Sequence, residues 1–435
     1  MTYGLILSVV GSLRGFKEVN FRFGEKRGRY TFASVFYRCE VERDLVNLFL
    51  MPKTLGEGEE ETLIAGLPEG LPCKVLPLPA VGRDQKGCRH TASYDYMRFY
   101  IFVNLVKEFL ESGEIKKIIA DINQGLNVYV DILKEAVRSF KVFHDLMFLG
   151  TERGLDTEIL FSEPLIGVSE VDTIEAEIFL SPLRVKTFFE SPLKPTDIKT
   201  DRLVVADLDR SGIRILKRFY RTYRAVRGNA PLVVLTFGYD PPTRIREFMK
   251  NLVDLYLERY CRPEGWKVQG GEFVYTEPED PSFNILVLMS LALYHAIATG
   301  LEKLGLPDNG GEWFSLEDIG RFEDLYRAFG LLPNADLLRR DVGIEGLIRN
   351  RVGKVLRTPG EVPEPVKDKL LSYGGCFLSE LERKVRDSRR IDRRNFWAHS
   401  GLEGNVTKVR VVGNRIEVSY SQDSRDRLSD LMFNL

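Results

Sequence analysis

Four histidines occur in the 435 residues, and one of them, His399, ends a strongly basic segment, Arg389-Arg390-Ile391-Asp392-Arg393-Arg394-Asn395-Phe396-Trp397-Ala398-His399-Ser400-Gly401. Histidine titrates near neutrality and can take up or give back a proton. Arginine keeps its charge and donates paired hydrogen bonds to a phosphate. Internal attack of a ribose 2′-hydroxyl on its own phosphodiester needs these two services, a proton acceptor or donor and a cation beside the phosphorane. Such chemistry requires no metal. The spacing alone decides little, because Arg83 and His90, and Arg138 and His144, are separated comparably. On a regular helix, residues five apart point about 140° away from each other. Arg394 and His399 would converge only at a helix end or across a pair of chains. The competing reading of His399 is a cation at a helix C-terminus, close to the last carbonyls.

A second set of residues suits an anion. Gly11, Ser12, Arg14 and Gly15 follow a first apolar run, and Asn123, Gln124, Gly125 and Asn127 follow a later one. Glycines let backbone N–H groups approach a phosphate, a helix N-terminus favours its charge, and Asn or Gln amides can read the edge of a purine. An ordinary strand-to-helix turn is the alternative for either segment alone. Cys88-Arg89-His90 is too compact for a metal site. His295, inside an apolar helix, reads as a core histidine, and Phe396 and Trp397 as core or interface aromatics, Trp397 lying near the cleft.

The elements that must carry these residues alternate. Leu5–Val10, Leu45–Met51, Lys74–Leu78, Ile115–Asp121 and 171–180 read as strands, and Tyr94–Ser112 and Leu126–Phe140 as helices. That order predicts a Rossmann-like, mainly parallel sheet whose ligand sits beyond the carboxyl ends of its strands. Prolines 182, 192 and 195 punctuate the next stretch of chain. Ser211–Arg227 and Thr243–Cys261 are helical by pattern, Pro231–Phe237 is an apolar run, and Trp266–Tyr275 reads as a hairpin turned at Gly270-Gly271. The last part is helical and ends in a small hairpin, Val406–Val412 and Ile416–Tyr420, turned at Gly413-Asn414. The expected organisation is α/β plus α: a Rossmann-like domain over 1–182, a helical linker region over 183–275, and a helical domain over 276–435.

Sixty-two basic residues oppose sixty-three acidic ones, a net charge of −1, which excludes a chain that coats nucleic acid by charge throughout. Five scattered cysteines form no CxxC pair and read as reduced thiols of a cytoplasmic protein. Residues 284–301, NILVLMSLALYHAIATGL, are nearly long enough to span a bilayer, but Ser290, His295 and Thr299 interrupt the run. A buried helix is the expectation, with no membrane partner.

Arg394-Asn395-x3-His399, followed by Ser400-Gly401-Leu402-Glu403 and the hairpin, resembles the active-site end of a HEPN ribonuclease domain. The N-terminal pattern, with Asp121-Ile122-Asn123-Gln124-Gly125-Leu126-Asn127 between strand and helix, is similar to a CARF domain, the sensor of type III CRISPR systems. Together they resemble the CARF–HEPN ribonucleases of the Csx/Csm type. The resemblance implies a homodimer whose CARF pair binds a cyclic oligoadenylate and whose HEPN pair then cuts single-stranded RNA to 2′,3′-cyclic phosphate ends. It implies that Arg394 stabilises the scissile phosphate, that His399 transfers the proton and that Asn395 orients its neighbours. A two-fold sensor is matched by an even-membered ring, so cyclic tetra-adenylate is the first expectation and cyclic hexa-adenylate the second. The chain departs from the family at Asn123 and Gln124, where many members carry Thr and His, and at Phe16, where many carry Trp. Those positions bear on ring size and on whether the sensor also degrades its activator. A second reading is a CARF-type regulator that binds nucleic acid without cutting it, for which Arg214, Lys217, Arg218, Arg221, Arg224 and Arg227 supply a basic helix. A nucleotide-dependent oxidoreductase fits poorly, since no GxGxxG follows the first strand.

Overall fold

The computed structural model describes residues 3–11, 18–55, 59–84, 86–112, 115–124, 127–163, 175–263, 266–340, 352–354, 356, 364–381 and 391–433. Packing divides the chain into two units. The first comprises Met1–Asp145, Arg153–Thr187 and Met249–Leu288; the second comprises Leu146–Glu152, Phe188–Phe248 and Met289–Leu435. The interval 183–275 is thus shared, 188–248 packing in the second unit and the rest in the first.

The strands of the first unit are β1 (Tyr3–Val9), β2 (Val19–Phe23), β3 (Lys26–Tyr30), β4 (Leu45–Pro52), β5 (Cys73–Leu78), β6 (Val81–Arg83), β7 (Arg89–Thr91), β8 (Ile115–Asp121), β9 (Asp156–Ser162), β10 (Glu175–Pro182), β11 (Lys267–Gln269) and β12 (Glu272–Val274). Eight of them form one sheet in the order β3-β2-β10-β9-β8-β1-β4-β5. The run from β9 through β8, β1 and β4 to β5 is parallel throughout, as the alternation of strands and helices predicts. β1 reads Tyr-Gly-Leu-Ile-Leu-Ser-Val and is buried on both faces from Gly4 onward, the signature of a central parallel strand. A Cβ at Gly4 would lie 2.4 Å from Leu45 Cδ2, so the Leu45 side chain of β4 occupies the space a larger residue would need.

Helices α1 (Tyr94–Ser112) and α2 (Asn127–Met147) follow β7 and β8. α2 buries Tyr129, Ile132, Leu133, Ala136, Val137, Phe140 and Phe143, an i, i+3, i+4, i+7 stripe. The stripe continues through Leu146 and Met147, which is why the helix runs past the expected end at Phe140.

The β2–β3 hairpin and β9 carry no clear sequence signal. Arg22 and Arg27 pair with Glu175 and Glu177 of β10, so this edge is held by charge and its apolar alternation is diluted. β6, β7, β11 and β12 form a second sheet in the order β11-β12-β7-β6, which ties the Gly270-Gly271 hairpin to residues 81–91.

In the second unit, α3 (Arg210–Arg227) is capped by Asp209, whose carboxylate accepts from Gly212 N at 2.7 Å. The apolar run Pro231–Phe237, left without an assignment by its pattern, is a helix, α4, with Pro231 in its first turn. Next come α5 (Pro242–Tyr260) and α6 (Pro281–Lys303), whose residues fall partly in each unit. α6 is long and apolar enough to cross a membrane, yet 78% of its apolar window is buried in protein.

Strands β13 (Phe314–Ser315), β14 (Cys376–Phe377), β15 (Thr407–Val412) and β16 (Arg415–Tyr420) make an antiparallel sheet in the order β13-β16-β15-β14. The expected hairpin is β15–β16, turned at Gly413 with φ +58°. It does not end the chain. A further helix, Arg425–Phe433, buries Leu428, Leu431 and Met432. The architecture is therefore mixed α/β, a mostly parallel sheet followed by a helical part with a small antiparallel sheet.

Candidate functional site

Asp392 starts the short helix α7 (Arg393–Ala398) by accepting from Asn395 N at 3.1 Å. The Asn395 amide returns to the other carboxylate oxygen at 3.0 Å, so Asn395 is spent on the helix start. Arg393 and Arg394 are exposed. Phe396 is fully buried, edge-on to Trp397 at 4.9 Å and stacked on Tyr420 at 6.4 Å.

His399 leaves the helix at φ −121°, ψ 41°, which frees its side chain from the regular 140° divergence. Ser400 follows at φ +55° and Gly401 at φ +78°. Gly401 N donates to Phe396 O at 2.8 Å, the six-to-one bond of a left-handed helix stop. Glycine is the ordinary residue at the first of these left-handed positions, so serine there needs compensation. It is fully buried and accepts from Asn229 Nδ2 at 3.0 Å. Asn229, between α3 and α4, is itself left-handed at φ +56°. Tyr420 donates to Gly401 O at 2.8 Å and closes the turn against the sheet.

The turn therefore rests on groups far away in sequence, and it presents Arg394 and His399 from the two ends of one short helix. Among the described residues, no hydrogen bond or ion pair joins that arginine to that histidine. Glu403, just beyond, is buried; burial pushes its carboxyl up, although Asn405 N and Nδ2 each bond it at 3.0 Å. Arg389 and Arg390 lie outside the described residues.

At the other candidate site, Ser8 of β1 lies opposite Asp121 of β8 in the parallel register. Gly11 and residues 122–124 therefore lie beyond the carboxyl ends of neighbouring strands. Asp121 is buried. Its Oδ2 accepts from Ser34 N at 3.2 Å and lies 3.1 Å from Ser8 Oγ, and its Oδ1 accepts from Asn123 N at 3.0 Å and Nδ2 at 2.6 Å. Burial pushes this carboxyl up, and those donors pull against it.

Asn123 Oδ1 accepts from Ser162 N, and Gln124 Nε2 donates to Thr31 O at 2.9 Å. Both amides thus brace the turn against β9 and against the loop after β3. Asn127, the first residue of α2, is exposed, and Gly11 is half-buried. Ser12, Arg14, Gly15, Phe16 and Gly125 lie outside the described residues. A cavity of about 240 Å³ borders Thr31, lined by Arg29, Tyr30, Phe32 and Gly66–Pro68.

The sequence reading missed Ser8 and Ser34 as supports of Asp121, and Asn229 as the support of Ser400. A polar residue at the end of an otherwise apolar strand was the one signal available. The basic helix is mostly committed internally: Arg218 pairs with Asp240 at 3.0 Å, Arg221 donates to Phe237 O, and Arg227 to Phe189 O at 2.8 Å. Burial and the neighbouring Arg218 pull the Arg221 guanidinium down to about 10. His90 is buried between Tyr275 at 2.6 Å and Asp84 at 3.5 Å. Among the described residues, no group of three His, Cys, Asp or Glu side chains could hold a metal.

A mostly parallel sheet with a polar turn at its carboxyl end, followed in the chain by a helical part whose short helix carries an exposed arginine and a half-buried histidine, is the arrangement expected of a ligand-binding domain followed by a ribonuclease domain. Residues 5–164 match the model of the CARF domain of the CRISPR system endoribonuclease Csx1, and residues 333–422 match the model of its HEPN domain. The two matches take in more than half of the chain and include both candidate sites, and the chain belongs to the CARF–HEPN ribonucleases of CRISPR systems. It is a CRISPR-associated, ligand-responsive ribonuclease. Among curated proteins compared individually, none matches it.

Proposed function

We propose that the protein is a cyclic-oligoadenylate-activated endoribonuclease that cuts single-stranded RNA without a metal. The carrying observation is the helix stop at His399: a capped helix and a buried Asn229–Ser400 bond hold an exposed arginine and a histidine at the two ends of a six-residue helix inside the HEPN match. Arg394 binds the scissile phosphate, where a guanidinium offsets the charge that builds on the phosphorane. His399 handles the proton of the 2′-hydroxyl or of the leaving 5′-oxygen. Asn395 acts as a positioning residue, through Asp392. Attack by the internal hydroxyl yields a 2′,3′-cyclic phosphate.

The chain works as a homodimer in the cytoplasm, with the sensor over 1–182, the linker region over 183–275 and the ribonuclease over 276–435. The activator lies beyond β1 and β8, against Gly11, Ser12, Arg14, Gly15, Asn123, Gln124, Gly125 and Asn127. Cyclic tetra-adenylate is the first choice and the six-membered ring the second. Asn123 and Gln124 serve by holding the turn's shape, Asn127 by facing the ligand.

The test is cleavage of single-stranded RNA in EDTA, with and without each ring. His399→Ala and Arg394→Ala should each lower the rate by about two orders of magnitude or more, the scale of a lost acid–base or phosphate-stabilising group. Full activity of His399→Ala would sink the assignment, and loss of cleavage in EDTA would point to a metal.

A further inference from the structure

The second unit contains a cavity of about 560 Å³ beside α7, lined by Lys194, Tyr220, Tyr223, Arg224, Arg227 and Trp397 among others. Its volume is that of a small-ligand pocket. Tyr220 and Tyr223 are buried on successive turns of α3, while Trp397 is half-buried. The indole ring packs directly on Gly228, where a Cβ would lie 2.2 Å from Trp397 Cζ3. No residue but glycine leaves room for the ring in this position.

The cations of the wall outnumber its one carboxylate. Arg224 lines the wall beside Tyr220, Arg227 is held by Phe189 O at 2.8 Å and lies 3.6 Å from Glu190, and Lys194 is exposed. Tyr220 stacks on Phe433 and Tyr223 on Phe189, so the half-buried Trp397 is the ring left to meet a base. An aromatic ring beside guanidinium and ammonium groups is what a single-stranded nucleic acid needs, stacking for a base and charge for its phosphate. Position adds a second argument. Trp397 follows Arg394 by three residues, and positions i and i+3 of a helix share a face. A base on Trp397 would therefore sit about one helical turn, ~5 Å, from the phosphate at Arg394.

We propose that this cavity seats one base of the single-stranded RNA substrate, in a nucleotide adjoining the scissile phosphate. The base lies against Trp397, and its phosphate meets Arg224 and Lys194. The proposal rests on the ribonuclease reading of Arg394 and His399. Near-neutral overall charge makes such a local grip necessary, since the chain offers no general attraction for RNA.

The experiment uses the full-length His399→Ala chain, so that binding is read without cleavage, and a fluorescein-labelled single-stranded oligoribonucleotide followed by anisotropy in EDTA. Trp397→Ala should raise Kd about tenfold, and Trp397→Phe should stay within about threefold of the parent, since phenylalanine keeps a stacking face. Arg224→Ala should raise Kd and lessen the slope of log Kd against log salt by about one, the loss of one phosphate contact. In the cleaving chain the same substitutions should move KM more than kcat. RNA affinity within twofold of the parent in both Trp397→Ala and Arg224→Ala would overturn the proposal. So would a changed oligomeric state with unchanged RNA affinity, which would make the cavity a contact between chains. If Trp397→Ala does not fold, Arg224→Ala and Lys194→Ala decide. Failure of the catalytic reading would show as undiminished cleavage by His399→Ala and leaves the anisotropy result standing by itself.

Discussion

Ser400 combines two features whose energies can be separated: a left-handed backbone and a buried hydroxyl bonded to Asn229 Nδ2 at 3.0 Å. Ser400→Ala keeps the backbone penalty and leaves a buried amide donor with no other described partner. That orphan costs about 1–3 kcal/mol. Ser400→Gly loses the same bond but relieves the left-handed strain, about 1 kcal/mol in glycine's favour. The glycine variant should therefore be the more stable of the two by about 1 kcal/mol, although it carries less side chain.

The coupling is testable through Asn229. Asn229→Ala combined with Ser400→Ala should cost less than the separate effects together, because the orphaned donor disappears with the amide. Denaturant unfolding followed by tryptophan fluorescence reads this well, since Trp313 and Trp397 belong to the second unit. Cleavage by Ser400→Ala should fall as well, because His399 is the next residue in the chain and loses its anchor. Equal stability of Ser400→Ala and Ser400→Gly, or costs below about 0.3 kcal/mol for both, would refute the argument that this bond and this backbone hold the turn, since the buried-donor cost alone is larger.

For the sensor, Asn127→Ala should raise the activator concentration for half-maximal cleavage about tenfold, or ~1.4 kcal/mol, with much of the rate recovered at saturation; titrating both rings measures it, and an unchanged curve removes Asn127 from the site. Stability should depend on pH through His295, whose pKa burial, with Arg246 adding to it, lowers to about 4. A base with a depressed folded value contributes fully above its unfolded value of about 6.5, and that contribution is lost as pH falls toward 4, at most about 3 kcal/mol. His295→Gln should flatten this limb in thermal melts between about pH 7 and 4; an identical slope in the variant would show that His295 titrates normally.

The parallel part of the sheet was legible in sequence because its strands are buried on both faces and separated by helices, a pattern written in local composition. β1, β4, β5 and β8 and the two helices between and after them follow from that alone. The arginine–histidine segment was likewise legible as a basic run ending in a histidine, whereas its cap, Asp392, was not singled out although it is a local signal. What the sequence could not specify is what the turns lean on. Ser34 and Ser8 reach Asp121 across 87 and 113 positions, and Asn229 reaches Ser400 across 171. The space beside Gly228 is filled by Trp397, a residue far along the chain. The helical Pro231–Phe237 shows the same limit, because a seven-residue apolar run has no periodicity to tell strand from helix and only its surroundings choose. Local pattern determines which segments form and which residues could do chemistry. The left-handed turns, buried polar bonds and aromatic–glycine contact that hold those residues in place are pairings of distant residues, and only the tertiary fold selects them.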